Sequence, residues 1–201
     1  MMHSTALTKI SVLLVLLGSG ALAQKVIPAI PPDDEGPSDS PLIDALARRD
    51  QVRAQKLLDA GASPNGKDRF GSTPLGTAIA LHLPDLAALL VARGADVNLS
   101  EGGDTSPLMA AAWYCDLRVA KFLLEHGAIV GHVSQDGDTA LESAAEHCEN
   151  GEMVKLLVVF GSHVNATDKL GDTPLIHAAF NGNEAAVREL VRAGADLTVK
   201  N

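Results

Sequence analysis

Five leucines, Leu42, Leu75, Leu108, Leu141 and Leu175, recur along the chain at intervals of 33, 33, 33 and 34 residues. A second series, Gly61, Gly94, Gly127, Gly161 and Gly194, runs at 33, 33, 34 and 33. A fixed period of this length means stacked supersecondary units, each too small to bury its apolar face alone. Such a stack acts by presenting a surface and seldom by closing a pocket around a reaction.

Residues 71–98 show what one unit contains. Thr73 is a good N-cap, because its hydroxyl can accept from an orphan N–H in the first helical turn. Pro74 suits the next position, where a missing N–H costs nothing. Leu75, Ala78 and Ile79 follow at i, i+3 and i+4, the spacing of one buried helical face. Pro84 opens a second helix with Leu86, Leu89 and Leu90 on its inner side, and Gly94 ends it in the left-handed conformation that a helix C-terminus needs. The unit reads as helix, tight turn, helix and an extended turn carrying Asp96 to Asn98.

The same grammar returns from Ser106, Thr139 and Thr173, with a more polar first copy from Ser40. With its threonine–proline–leucine starts, alanine pairs and Gly-Ala-Asp-x-x ends, the chain resembles the ankyrin-repeat family over about residues 40 to 201. The resemblance implies an all-α solenoid of about five helix-turn-helix repeats, near 40–65, 66–98, 99–132, 133–165 and 166–201. It departs from the family at the histidine of the TPLH motif. Gly76, Met109, Glu142 and Ile176 hold that place, and His177 comes one residue late. The departure predicts a stack less tightly tied between its turns. The two phase series also locate an inserted residue between Leu141 and Gly161, in the helix–helix turn Cys148 to Gly151.

Residues 1–23 stand apart from the repeats. Lys9 precedes an apolar run from Ile10 to Leu17, and Ala21-Leu22-Ala23 is a small-x-small site, the form of a secretory signal peptide cut before Gln24. A run of eight residues, seven of them apolar, is too short to span a bilayer of ~30 Å as a helix, and no cysteine follows to carry a lipid. The reading is export to a periplasm or beyond. Residues 24–39, rich in proline and carboxylates, read as a flexible tether. Removing the leader takes one basic residue, leaving 15 basic against 25 acidic side chains, a net −10. That balance disfavours nucleic acid, whose affinity rests on phosphate neutralisation, and favours a basic protein partner.

Cys115 and Cys148 hold the same phase in neighbouring repeats, where the family usually has glycine. An oxidising compartment favours a disulfide between them. Helices packed ~8–10 Å apart oppose it, because a bridge needs Cα atoms within ~7 Å. The added residue beside Cys148 can let its turn lean toward Cys115, and two buried thiols are the alternative. His147 beside Cys148 does not make a metal centre, for no CxxC or HxxxH spacing accompanies it. Asp136-Gly137-Asp138 lacks the later oxygen ligands of a calcium loop, and it shares its turn phase with Asp168 to Asp172, which reads as a solvated turn. No GxSxG, Walker-type loop or HExxH occurs. The sequence therefore calls for no enzyme, no metal and no cofactor.

The resemblance implies binding on the concave face lined by turn tips and first helices. That face carries Phe70, Trp113, Tyr114, Glu146, His147, Phe180 and Asn181. Only six aromatics exist in the chain, and its sole Trp and sole Tyr are adjacent. Aromatic anchors usually carry interface energy, although Trp113 and Phe180 can equally pack between repeats. Phe122, beside Leu123 and Leu124, reads as core. The first repeat's Arg48, Arg49, Asp50, Gln51 and Lys56 suit an N-terminal cap.

The functional expectation is a monomeric periplasmic module that sequesters or inhibits a protein, such as an immunity protein against an envelope-acting toxin. An envelope scaffold and a secreted host-directed effector are the alternatives.

Overall fold

The computed structural model describes residues 40–199. The leader expected at 1–23 and the tether at 24–39 lie outside the described residues. Within them ten α-helices form five pairs: α1 (Pro41–Ala47) with α2 (Gln51–Asp59), α3 (Pro74–Ala80) with α4 (Pro84–Ala92), and α5 (Pro107–Trp113) with α6 (Leu117–Glu125). The last two pairs are α7 (Ala140–His147) with α8 (Glu152–Val159), and α9 (Pro174–Phe180) with α10 (Glu184–Arg192). The all-α repeat solenoid expected from the sequence is the observed architecture.

Each start follows its capping chemistry. The hydroxyls of Thr73, Ser106, Thr139 and Thr173 accept from the backbone N–H three residues on. Asp50, Asp116 and Asn183 do the same for second helices. Three residues separate the helices of most pairs, whereas α7 and α8 are joined by four, Cys148 to Gly151. The inserted residue lies where the two phase series place it.

First helices form one layer, with α1, α3, α5, α7 and α9 in successive contact. Ala45, Ala78, Ala111, Ala144 and Ala178, all fully buried, lie between them. A methyl side chain is what permits so close an approach. The second helices α4, α6, α8 and α10 form the other layer. The repeating leucines, with Ile79, Leu90, Leu123, Leu157 and Leu190, fill the space between layers. Phe122 departs from expectation: it is half-buried and stacks on His126, centroids 4.1 Å apart, outside the core. Its neighbours Leu123 and Leu124 take the inward directions of α6, and a third consecutive residue must point sideways.

Asparagines tie the turns. Asn65 donates to the Gly94 carbonyl and accepts from Asp96 N–H. Asn98 repeats this with Gly127 and Ile129.

At two of the helix starts a carboxylate stands in for the missing TPLH histidine. Glu101 accepts from both the N–H and hydroxyl of Thr73. Glu142 completes a capping box with Thr139. A buried Thr N–H needs an acceptor, and either residue type can place one there.

Candidate functional site

The first-helix face carries a connected row of rings and acids across repeats three to five. Trp113 ends α5 and stays 42% exposed. Its ring lies over His147 of the next repeat, centroids 3.8 Å apart and tilted by 59°. His147 is the last residue of α7 and adjoins Glu146. The Glu146 carboxylate stands 3.8 Å from His147 Nε2 and 3.9 Å from Nδ1 of His177 on α9. His177 Nε2 in turn lies 3.2 Å from Asp168 Oδ2.

Hydrogen bonds orient the rings of this row. Asp168 spends its other oxygen on the N–H groups of Leu170 and Asp172, which fixes the turn. Its Oδ2 then accepts from Nε2 of His177, which turns Nδ1 of that ring toward Glu146, 3.9 Å away. His147 Nε2 is sealed from solvent without a hydrogen-bond partner. Burial pushes the His147 imidazole below its usual range, which favours the neutral ring. Among the described residues Glu146 has no hydrogen-bonded donor and no lysine or arginine partner.

Asp138, in the turn before α7, is raised by burial and then by the neighbouring charges of Asp168 and Asp136. Asp168, Asp172 and His177 each offer one ligand atom within 4.8 Å of the others. The turn at 168–172 is thus more enclosed than the solvated turn read from sequence: the Asp168 side chain is only 6% exposed.

The remaining residues of the expected site divide. Phe180, 84% exposed, sits one helical turn beyond His177 and extends the row. Asn181 is exposed beside it and donates to the His177 carbonyl. Tyr114 is half-buried against the core and meets His82 edge-on at 5.5 Å. Phe70 stands on a turn tip of the second repeat, ahead of the row, with the Arg69 guanidinium 5.0 Å over its ring. Phe70 therefore lies apart from the Trp113–Phe180 row.

Sequence reasoning named His177 as a displaced histidine and Asp168 as a turn residue, and put neither in the site. The available signal was His177, displaced by one from the family's histidine and nine residues after Asp168.

A disulfide joins Cys115 to Cys148, with Cα atoms 5.4 Å apart. The helix spacing that opposed it is bypassed because both cysteines lie in turns, beyond the ends of α5 and α7. Cys115 adopts φ 55°, the left-handed conformation that Gly182 occupies one repeat pair on. The bridge stands immediately beside the Trp113–His147 contact and clamps repeats three and four. An apolar depression of about 490 Å³, lined by Val187, Val191, Ala179 and Arg188, lies along α9 and α10.

The family profile for ankyrin repeats (3 copies) matches residues 42–134 and, again, 108–201. The chain is 26% identical over 157 residues to an ankyrin repeat protein of Fowlpox virus, covering 78% of this chain and 36% of that one. It is 37% identical over 158 residues to the B-cell lymphoma 3 protein homolog of Mus musculus, covering 76% and 34%. An ankyrin repeat-containing protein of Treponema pallidum shares 37% over 116 residues, or 57% and 39%. The chain spans little more than a third of the length of each of these relatives.

Proposed function

The chain belongs to the ankyrin-repeat family, and from that premise we propose that it is a periplasmic binding module that sequesters or inhibits a basic protein partner. Ankyrin repeats are protein–protein interaction modules, generally without catalytic activity. The observation that carries the reading is the Trp113–His147–Glu146–His177 row with Phe180 beyond it. It is an exposed aromatic and acidic surface on a rigid, disulfide-clamped stack. Exposed aromatics flanking a carboxylate suit a cationic protein surface.

The net charge of −9 supports a basic partner through steering. Export is supported by the leader pattern at residues 1–23 and by the disulfide, which persists in oxidising compartments. An immunity protein against an envelope-acting toxin is the specific form of this proposal.

The test uses the full chain and a Trp113→Ala/Phe180→Ala variant, both side chains being exposed enough to spare the fold. Partners captured from envelope extracts by wild type are assayed for activity at equimolar ratio. Inhibition by wild type and its loss in the variant support the reading; full partner activity in the complex overturns inhibition. Cell fractionation with mass spectrometry of the mature N-terminus tests export, with Gln24 expected as the first residue.

A further inference from the structure

We propose that Glu146, between the Trp113 and Phe180 positions, is a seat for an arginine side chain of the bound protein. The inference rests on the protein-binding reading above and names the group that the face grips. Glu146 is 37% exposed at its side chain, and the imidazoles beside it stand at 3.8 and 3.9 Å, beyond hydrogen-bond range. His177 Nε2 donates to Asp168 and turns Nδ1 toward Glu146 beyond hydrogen-bond range, while His147 Nε2 is buried beside Trp113. A half-buried carboxylate with no internal donor favours an external one.

Arginine fits better than lysine for geometric reasons. The exposed Trp113 ring offers a face for a planar guanidinium, and Glu146 offers two oxygens for a forked pair of N–H bonds. Phe180, 84% exposed at the matching position of the following repeat, offers apolar surface for the stem of an arginine. An ammonium gains the charge but neither the stacking nor the fork.

The experiment follows the single indole N–H resonance of the full chain during titration with N-acetyl-arginine amide, N-acetyl-lysine amide and N-acetyl-citrulline amide. The expected result is saturable binding of the arginine probe with about fivefold weaker response to lysine and none to citrulline. Glu146→Gln should weaken the arginine probe by about tenfold, the loss of one charge-assisted pair. Equal response to lysine and arginine, or an unchanged Glu146→Gln, overturns the seat. Partner capture that survives such a result leaves the protein-binding reading standing and removes only the arginine seat. The Glu146→Gln thermal melt, expected to match wild type, separates lost binding from lost fold.

Discussion

The carboxylate of Glu101 accepts a hydrogen bond from the backbone N–H of Thr73, 28 residues earlier, at 2.5 Å. The space it occupies exists because residue 76 is glycine: a Cβ there would stand 2.2 Å from Glu101 Oε1. One repeat thus caps the first helix of the repeat before it. Glu101→Ala should cost ~1–3 kcal/mol, the range for leaving a buried donor unsatisfied. Gly76→Ala should destabilise wild type by displacing the carboxylate. In a Glu101→Ala background it should instead stabilise by ~0.5–1 kcal/mol through helix propensity. Urea denaturation of the four proteins tests the coupling, and simple additivity would refute it.

Glu142 gives a pH prediction. Burial is the main cause that raises its carboxyl from 4.5 to about 7, against the pull of the Thr139 hydrogen bonds. The folded state therefore holds a proton that the unfolded chain releases between those values. Its contribution is full below pH 4.5, declines as pH rises, and is gone above about 7. Glu142→Gln cannot titrate, so its stability relative to wild type should rise across that window by up to ~3 kcal/mol. Unfolding free energies measured for both proteins at pH 4.5 and 8 check this. Parallel curves would remove Glu142 as the source. Other titrating groups are common to both proteins and cancel in the difference.

The Cys115–Cys148 bridge closes a loop with a sequence separation of 33. Constraining the unfolded chain over that length contributes ~3–4 kcal/mol on the loop-entropy description. Cys115→Ser/Cys148→Ser, and wild type under reductant, should both unfold at lower denaturant by that amount. Thiol titration of the untreated protein should find no free sulfhydryl. Two titratable thiols in the oxidised preparation would contradict the bridge.

Leu123 and Phe122 are neighbours with opposite expected sensitivities. Leu123 is fully buried at the centre of α6, so Leu123→Ala should cost ~2–5 kcal/mol. Phe122 lies against His126 near the surface, and Phe122→Ala should cost less than half as much. Thermal melts of the two variants order them, and the reverse order would place Phe122 in the core after all.

Much of this molecule was legible before its coordinates. The leucine and glycine periods fix the pairs of helices, the Thr-Pro and Ser-Pro steps fix where first helices begin, and the mismatch between the two periods locates the four-residue turn at Cys148. These are local or periodic properties, carried by capping chemistry and by the 3.6-residue spacing of an apolar face. Exposure of Trp113 and Phe180 was open to two readings, because a ring at the end of a first helix can turn inward or outward without changing the pattern.

What the tertiary structure alone decided concerns groups brought together from different repeats. Glu101 lies far along the chain from Thr73, His147 from Trp113 and Glu146 from His177, so no local spacing announces their meeting. Whether Cys115 and Cys148 meet depended on the lean of two turns, which helix spacing cannot give. The orientation of the His177 ring is set by Asp168, and it leaves Glu146 without a donor within hydrogen-bond distance. Repeat periodicity determines which positions face one another, but hydrogen-bond partnership depends on distances of a few tenths of an ångström, and only packing sets those.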